Sequence, residues 1–450
     1  MRSEVEGALR DVRGYADIRI RRIHVTTILF RGRALRVNLT TEAWGGSVRA
    51  LAPGGGWATV GFAGIDRLSA QVARAFELSA AGRGGEALFP IPIRQHERPL
   101  SPDNDPTRVP VTEKRAWLEA ATVELLGTDR RIVDARTSYR EVVTETWFAT
   151  TEGTWFADGR AEVAVASLAV AEEDGTVERA IESYAVPGAF AALATSAPIV
   201  RLAGVRAVER LHAAPARRGR FTLVLDPRAA GALIQATLAQ RSVVAGAGEG
   251  PERLPLGTRV GPECLTVGDD PTAAGLRTTA VLDDEGTPAG KALLVQHGVV
   301  VGHLAARATA RPTGHAPTGH AFASGLRDEP AARLTNTYLA SGRGGGDLVG
   351  DVASGIYIAD VLGVRLSGDQ VSLEPGRSYV IRQGRLGEPV KCPPIAGSLW
   401  SLFGRLETVG DDFSWDSSDA RGRSNGDGRP VTTGAPHARF VDVSIGEAVG

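Results

Sequence analysis

The stretch that decides the fold is FTLVLDPRAAGALIQATLAQR, residues 221–241. Its first five residues are apolar or β-branched, which is typical of a short buried strand. Asp226 then stands where a helix N-cap is favoured, and Pro227 stands at the first helical position, where its missing N–H costs nothing. The pattern predicts a strand over 221–225 and a helix from about Arg228 to Arg241.

The predicted helix resembles the element on which zinc peptidases place two histidines about one turn apart, with a neighbouring glutamate as the base. Gln235 and Gln240 stand on this helix instead, and Ala236 follows the first of them. A neutral glutamine is a poor zinc ligand, and the methyl group of Ala236 can neither accept a proton nor orient a water molecule. Taken alone, the helix is an amphipathic core element with two amides on one edge.

Strands alternate with a few helices on both sides of this stretch. Apolar alternation and turn residues predict the strands, while apolar residues spaced three and four apart predict the helices. The predicted elements are a β-hairpin over 16–41, strands at 44–49 and 57–62, a helix over 65–81, a Gly- and Pro-rich linker over 83–110, a helix from an N-cap at Thr112 to about Leu126, a strand meander over 131–185, a helix over 189–212, and short strands over 254–450.

The chain, with 450 residues and 47.2 kDa, is too long for one hydrophobic core. We expect an α+β fold with an N-terminal α/β region of β-hairpins and helices and a C-terminal β-rich domain of antiparallel sheets. The predicted domains are an N-terminal α+β domain over 1–95, a central β-meander and helix domain over 96–205, and a C-terminal β-rich domain over 206–450 that carries the helix described above.

The charge and the cysteines narrow the class of protein. Lys and Arg total 51 against 52 for Asp and Glu, which argues against a dedicated nucleic-acid or membrane-surface binder. Two cysteines, Cys264 and Cys392, cannot build a disulfide scaffold and fit a reducing compartment. No apolar run reaches the roughly 18–20 residues needed to cross a bilayer, and the start lacks the apolar stretch of a secretory signal. We therefore expect a cytoplasmic protein.

Three further segments carry polar residues with chemical potential. His315 and His320 lie in a loop rich in Gly and Pro and could bind a metal ion, although loop histidines are usually solvated. The acidic turn 283–286 lacks the spacing of a calcium loop and is expected to be a solvated hairpin tip. Arg333, together with Thr335, Asn336 and Tyr338 in the same alternating stretch, could hold a peptide by main-chain or carboxylate contacts, or could form an ordinary strand with a charged outer face.

These segments together resemble the TldD/TldE (PmbA) family of metallopeptidases over nearly the whole chain. The resemblance rests on several segments in the same order, of which the last is the most specific. They are GSVR at 46–49, GFA at 61–63, FTLVLDP at 221–227, DDEGTPA at 283–289, GVVVG at 298–302, TGH at 318–320 and RLTNTYL at 333–339.

The resemblance implies where a metal site would lie. The active family member carries His-Glu-x-x-x-His on the helix after Leu-Asp-Pro, and a cysteine ligand near the C-terminus. On this sequence the histidines fall at Gln235 and Gln240, the glutamate falls at Ala236, and the cysteine falls in 419–423, which contains no thiol. The resemblance thus implies no catalytic and no metal-binding residue in this chain.

The resemblance therefore points to a TldE-like subunit that lacks the zinc motif. Such a subunit pairs with a TldD-like catalytic subunit, which carries the zinc, and the two enclose a proteolytic chamber for extended peptides. His320, Arg333, Thr335, Asn336 and Tyr338 are the predicted substrate-binding residues. We expect peptidase activity only in this heterodimer, no cofactor in this chain, and neither nucleic acid nor membrane as a partner.

Other functions stay open at this point. The chain could be a hydrolase with a rearranged metal site around His315 and His320, or a standalone peptide-binding module. Within a gene cluster, the heterodimer could also cleave an amide in natural product biosynthesis rather than serve general proteolysis.

Overall fold

The computed structural model describes residues 1–193, 196–244, 252–418 and 430–446. For residues 311–313 it describes the backbone alone. Strands and four helices make up the first half of the chain, and the sequence predicts three of these helices but not α1. Their bounds are α1 Arg2–Leu9, β1 Tyr15–Arg31, β2 Ala34–Leu51, β3 Trp57–Ala63, α2 Leu68–Ala81, β4 Gln95–Arg98, α3 Val111–Leu126, β5 Ile132–Thr150, β6 Trp155–Glu173, β7 Thr176–Pro187 and α4 Ala197–Leu211.

The second half has many short strands. Their bounds, with the helices between them, are β8 Ala214–Pro215, β9 Gly219–Leu225, α5 Pro227–Ile234, β10 Val267–Asp269, β11 Ala292–Gln296, β12 Val299–Val300, α6 Arg307–Thr313, β13 Ala321–Phe322, β14 Ala331–Ala332, β15 Asn336–Leu339, β16 Ser354–Ile358, β17 Val361–Ser367, β18 Gln370–Pro375, β19 Ser378–Arg382, β20 Arg385–Lys391, β21 Ile395–Ser398, α7 Leu399–Phe403, β22 Leu406–Val409, β23 Ser414–Asp416, β24 Thr432–Ala435 and β25 Ala438–Ile445.

A seven-stranded sheet spans the first half of the chain in the order β3-β2-β1-β5-β6, and both β4 and β7 pair with the outer edge of β6. Helices cover it through two cores. Val5, Val72 and Ala75 pack with one group of sheet residues, and Leu118 and Val200 belong to the other. One sheet thus carries both the N-terminal and the central segments, and the division at 95 stays a prediction.

Two sequence-based boundaries differ from the structure. The predicted strand at 44–49 is not separate, because β2 runs unbroken from Ala34 to Leu51 and pairs with β1 along its whole length. Gly46 lies inside it because the strand passes close to β1: a Cβ at this position would stand 2.0 Å from the carbonyl oxygen of Arg19. Thr112 is not the N-cap of α3, since that helix begins at Val111 after Pro110.

The second half contains a six-stranded and a seven-stranded sheet with two smaller ones around a shared core. Most strand pairs are antiparallel, although β9 with β16 and β15 with β24 are parallel. The predicted α+β class, with a β-rich C-terminal half, is confirmed. Helix α5 lies inside this core, where Ala229, Leu233 and Ile234 are buried.

One stretch, 190–211, has the length and apolar composition to cross a bilayer by those two criteria alone. Residues 194 and 195 within it lie outside the described part of the chain. In its α4 portion, Val200, Ala203 and Ala207 are fully buried in the core shared with β5 and β6. This packing is typical of a core helix, and the cytoplasmic location stays a prediction.

Candidate functional site

The helix after Leu225 begins as the sequence predicts. Asp226 is its N-cap, and one carboxylate oxygen accepts a hydrogen bond from the backbone N–H of Arg228 at 3.0 Å. The other oxygen accepts from the Tyr357 hydroxyl at 2.8 Å. The Tyr357 oxygen also lies 2.8 Å from Nε2 of His437. Asp226 is therefore anchored both to its own helix and to β16, which fixes where α5 enters the core.

The helix changes geometry at the positions that matter. Regular α5 ends at Ile234, a π-helical turn follows over Gln235–Ala239, and a 3₁₀ turn covers Gln240–Ser242. Side chains five residues apart would be about 140° apart around an α-helix with 3.6 residues per turn. A wider π turn reduces that angle, so Gln235 and Gln240 come closer to one side of the helix.

The side chains on this turn offer nothing that suits zinc. Gln235 is buried, while Ala236 and Gln240 are half-buried. Zinc in proteins takes thiolate, imidazole or carboxylate ligands, and none of the three supplies one. The carbonyl oxygen Oε1 of Gln240 is buried without a hydrogen-bond partner in the described ranges. The residues present therefore do not fit the metal that the family resemblance implies for a catalytic member. The segment 419–423, where the third ligand would fall, lies wholly outside the described residues.

A buried carboxylate at the end of β10 organises the neighbouring strands. Both oxygens of Asp269 lie 3.0 Å from the backbone nitrogen of Thr335, which donates its N–H to them. The Thr335 hydroxyl also donates to Asp269, and the Thr337 hydroxyl donates at 2.7 Å. Nε2 of His320 lies 3.3 Å from the same carboxylate. We call these four residues the Asp269 cluster.

The Asp269 cluster is sealed from water, since all four side chains are buried. Burial alone would raise the pKa of Asp269, but the hydrogen bond and charge of His320 and the two threonine hydroxyls outweigh it and hold the pKa below its usual range. Nδ1 of His320 lies 2.8 Å from the carbonyl oxygen of Thr318. Asp269 is thus held as a carboxylate that ties the His320 loop to β15.

The predicted substrate-binding residues differ in how accessible they are. Thr335 and Asn336 are fully buried, and the Asn336 amide accepts from Thr278 and donates to the carbonyl of Asp270. Arg333 is half-buried, and its Nε donates to the carbonyl oxygen of Phe322 at 2.9 Å. The Tyr338 ring crosses Gly268, where a Cβ would stand 2.2 Å from its hydroxyl oxygen. Substrate binding by these residues stays a prediction.

Strand β15 itself is closed to a further strand. It lies between β10, with which it is antiparallel, and β24, with which it is parallel. Both of its hydrogen-bonding edges are therefore occupied, and an extended peptide cannot extend the sheet at Asn336–Leu339.

The two loop histidines have different partners. His315 lies against His303, with Nε2 3.4 Å from Nδ1 of that residue, and His303 in turn contacts the carbonyl of Leu254 at 2.7 Å. His320 belongs to the Asp269 cluster. In the described ranges no three His, Cys, Asp or Glu side chains converge in a way that could hold a metal ion.

The acidic turn at 283–286 is not a solvated hairpin tip, and that prediction was wrong. Asp283 and Glu285 are fully buried. Arg21 of β1 binds Asp284 at 2.5 Å, and Arg49 of β2 binds Glu285 at 2.7 Å, so the turn docks on the N-terminal sheet. Burial and the charge of Glu285 raise the pKa of Asp283, against three backbone N–H donors.

Comparisons with known proteins bear on this arrangement. Residues 104–211 match the family model described as the PmbA/TldA metallopeptidase central domain, and residues 218–447 match the one described as its C-terminal domain. A Synechocystis protein named "Metalloprotease slr0863" is 28% identical over 98% of this chain and 97% of its own length. A "Metalloprotease" of Methanothermobacter thermautotrophicus is 28% identical over 96% and 95%, respectively.

Solved structures have the same fold. TldE from Thermococcus kodakarensis superposes with a TM-score of 0.74 at 16% identity, over 98% of both chains. A Thermotoga maritima protein named in connection with modulation of DNA gyrase superposes with a TM-score of 0.77 at 17% identity, over 99% of both chains. At such identities the likeness establishes the fold alone.

Proposed function

The chain belongs to the PmbA/TldD metallopeptidase family, and from this premise we propose that it is a non-catalytic, TldE-like subunit of a two-subunit zinc peptidase. The observation that carries the proposal is the helix after Leu-Asp-Pro, where Gln235, Ala236 and Gln240 stand in place of ligands and base. The full-length fold likeness to TldE of Thermococcus kodakarensis agrees with this proposal.

Metal-assisted hydrolysis explains why those three positions matter. A peptidase zinc polarises the scissile carbonyl and activates a water molecule, and a carboxylate accepts the proton of that water. The Gln235 and Gln240 amides stay neutral and bind zinc poorly, while Ala236 cannot take a proton. We therefore assign the chemical step, and the zinc, to a TldD-like partner with an intact His-Glu-x-x-x-His helix.

This chain would contribute shape and binding. In this proposal the Asp269 cluster keeps β15 and the His320 loop in place. Arg333, which is half-buried, and Tyr338, which is 8% exposed, contact an extended peptide in the shared chamber. Thr335, Asn336 and His320 then act by positioning, because all three are buried and each is hydrogen-bonded inside the protein, His320 through Nδ1. The substrate is a peptide or a peptide-like amide, and a cytoplasmic location fits the two free cysteines.

The test is co-expression with a TldD-like partner encoded by the same genome. We expect a stable complex that hydrolyses an unfolded peptide, no hydrolysis by this chain alone, and loss of activity on chelation. Replacing the motif glutamate of the partner should abolish hydrolysis, whereas the Gln235→Ala, Gln240→Ala double variant of this chain should keep most of it.

The opposite pattern would overturn the proposal. Chelator-sensitive hydrolysis by the purified chain alone would establish a metal site within it, for which the first variants to make are His315→Ala and His320→Ala. A chain that stays separate from every TldD-like partner, with no gain in hydrolysis, would instead favour a standalone peptide-binding module.

A further inference from the structure

A cavity of about 870 Å³ lies between β7, α4, the first turn of α5 and the segment that joins β16 to β17. Seven consecutive residues of β7, Val177–Ser183, line it. Because side chains of a strand alternate between two faces, a cavity that reaches every residue in turn runs along the edge of the strand. It also covers one face of the sheet, where Leu168 and Val170 of β6 lie opposite Ile181 and Arg179. Such a length of strand extends about 23 Å at 3.3 Å per residue.

Within the described residues, no strand pairs with β7 along the edge at Val177, Arg179 and Ile181. On one side β7 is bonded to β6 along its length. On the other side the N–H of Ala185 donates to the carbonyl oxygen of Ser417 at 2.7 Å. Backbone groups alternate in direction along a strand, so those of Ile181, Arg179 and Val177 point the same way as those of Ala185. In the described part of the chain no strand pairs with them.

The inner wall of the cavity is rich in arginine. Arg206 of α4 and Arg228 of α5 share the buried Glu182, which lies 3.6 Å from Arg228. Arg377 binds Asp360 at 2.9 Å. Five arginines line the cavity, namely Arg179, Arg206, Arg210, Arg228 and Arg377. Four acidic residues line it as well, namely Glu178, Glu182, Asp360 and Glu374. The lining side chains therefore carry one positive charge more than negative. Around them, Asp416 lies 3.4 Å from Arg228 and Lys391 lies 2.5 Å from Glu178, which leaves this balance unchanged.

The surplus positive charge acts on Arg206, which lies near Arg377 and Arg228. Its side chain is 12% exposed, and within the described residues its Nε is buried without a hydrogen-bond partner. Burial and the charges of Arg377 and Arg228 lower the pKa of Arg206 to about 10. An anion entering the cavity would find an unused donor and would relieve the repulsion among the three guanidinium groups.

The mouth of the cavity is apolar. Val177, Ile181 and Leu362 line it with exposed fractions of 56%, 50% and 58%. An apolar entrance, an arginine wall and the backbone groups of Val177, Arg179 and Ile181, with which no strand pairs in the described residues, are complementary to an extended peptide with an acidic residue. A small anion would use only the arginines and leave the strand edge and the apolar entrance empty.

We propose that this cavity binds an acidic peptide segment, which adds as a strand to the outer edge of β7 and places a carboxylate against Arg206. The site deepens the proposed function by naming a class of substrate. It lies on this chain alone and needs no second subunit, so that binding to the isolated chain tests it separately from peptide hydrolysis by a heterodimer.

The experiment measures fluorescence anisotropy of a labelled Val-Thr-Glu-Val-Thr peptide with blocked ends, and of its Gln counterpart, on the purified chain. We expect the Glu peptide to bind at least tenfold more tightly. The Arg206→Gln variant should reduce this preference below threefold, with its fold checked by circular dichroism. Arg382→Gln, at an exposed arginine paired with Glu388, is the matched control and should leave the preference unchanged.

Peptides N-methylated at alternate residues test the strand geometry. Since only every second N–H of an added strand points at β7, one methylated set should bind like the parent and the other should lose binding. Equal binding of the Glu and Gln peptides, an unchanged preference in Arg206→Gln, or equal behaviour of the two methylated sets would each overturn the proposal, whatever a heterodimer does in the hydrolysis assay.

Discussion

The Asp269 cluster and the arginine cavity beside β7 are both charged and both built from distant parts of the chain, yet the cluster is enclosed and the cavity is open. In the cluster, backbone and hydroxyl donors from Thr335 and Thr337 and the ring of His320 surround one carboxylate. In the cavity, Arg206 keeps a buried donor that has no partner among the described residues, beside open space.

The difference separates a structural role from a binding role. A buried carboxylate whose oxygens accept several hydrogen bonds fixes a single arrangement, and removing it leaves those donors without an acceptor. A network with an unused donor and room for a ligand has something to gain from binding. Variants of the Asp269 cluster should therefore mainly lower stability, whereas variants of the cavity should mainly weaken ligand binding.

The largest expected effect is on stability in the Asp269→Ala variant. It leaves the Thr335 N–H, two hydroxyls and His320 buried without their acceptor, and should lower the free energy of unfolding by about 3–5 kcal/mol. Asp270→Ala is the matched control, one residue further along. The Asp270 side chain accepts from the backbone N–H and the hydroxyl of Thr272 in a partly exposed turn. Its loss should cost about 1 kcal/mol, and urea unfolding measures both.

A smaller effect is expected on how the stability of the protein depends on pH, through the Asp269 cluster. Because the folded pKa of Asp269 is depressed, its contribution to stability is fully present above the ordinary aspartate value of about 4 and is lost as pH falls through the lower folded value. Thr337→Val removes one donor to the carboxylate, which should cost about 1.5–3 kcal/mol at pH 7 and reduce the loss of stability below pH 4. Urea midpoints at pH 7, 5, 4 and 3 check this, and identical slopes in both proteins would contradict it.

The smallest effect on stability is expected in the cavity. Arg206→Gln keeps an amide donor near Glu182, leaves Arg228 beside that carboxylate, and removes repulsion from Arg377. The change should cost about 1 kcal/mol or less, against the several kcal/mol expected when a completed buried ion pair is broken. A loss as large as that of Asp269→Ala would mean that Arg206 holds the fold rather than a ligand.

The sequence was sufficient to predict those features of the fold that depend on neighbouring residues alone. The start of α5 follows from Asp226 and Pro227, because an N-cap and a first-turn proline act within a few residues. The π turn at Gln235–Ala239 was not predicted, since it depends on how the helix packs between β10, β15 and β17.

Distant pairing could not be read from the sequence. The acidic turn at 283–286 looked solvated because Arg21 and Arg49, which neutralise it, lie more than 230 residues earlier. Asp269 was missed for the same reason, because only the sheet brings it to His320 and Thr335. His315 and His320 seemed a pair from their spacing, yet the chain turns each toward a different partner.

The most direct test of the central claim is the rate of peptide hydrolysis by the purified chain, by a purified TldD-like partner and by the two co-expressed, each with and without a chelator. The account predicts chelator-sensitive hydrolysis that is strong only in the co-expressed complex and absent in this chain alone. Chelator-sensitive turnover by this chain alone would contradict it.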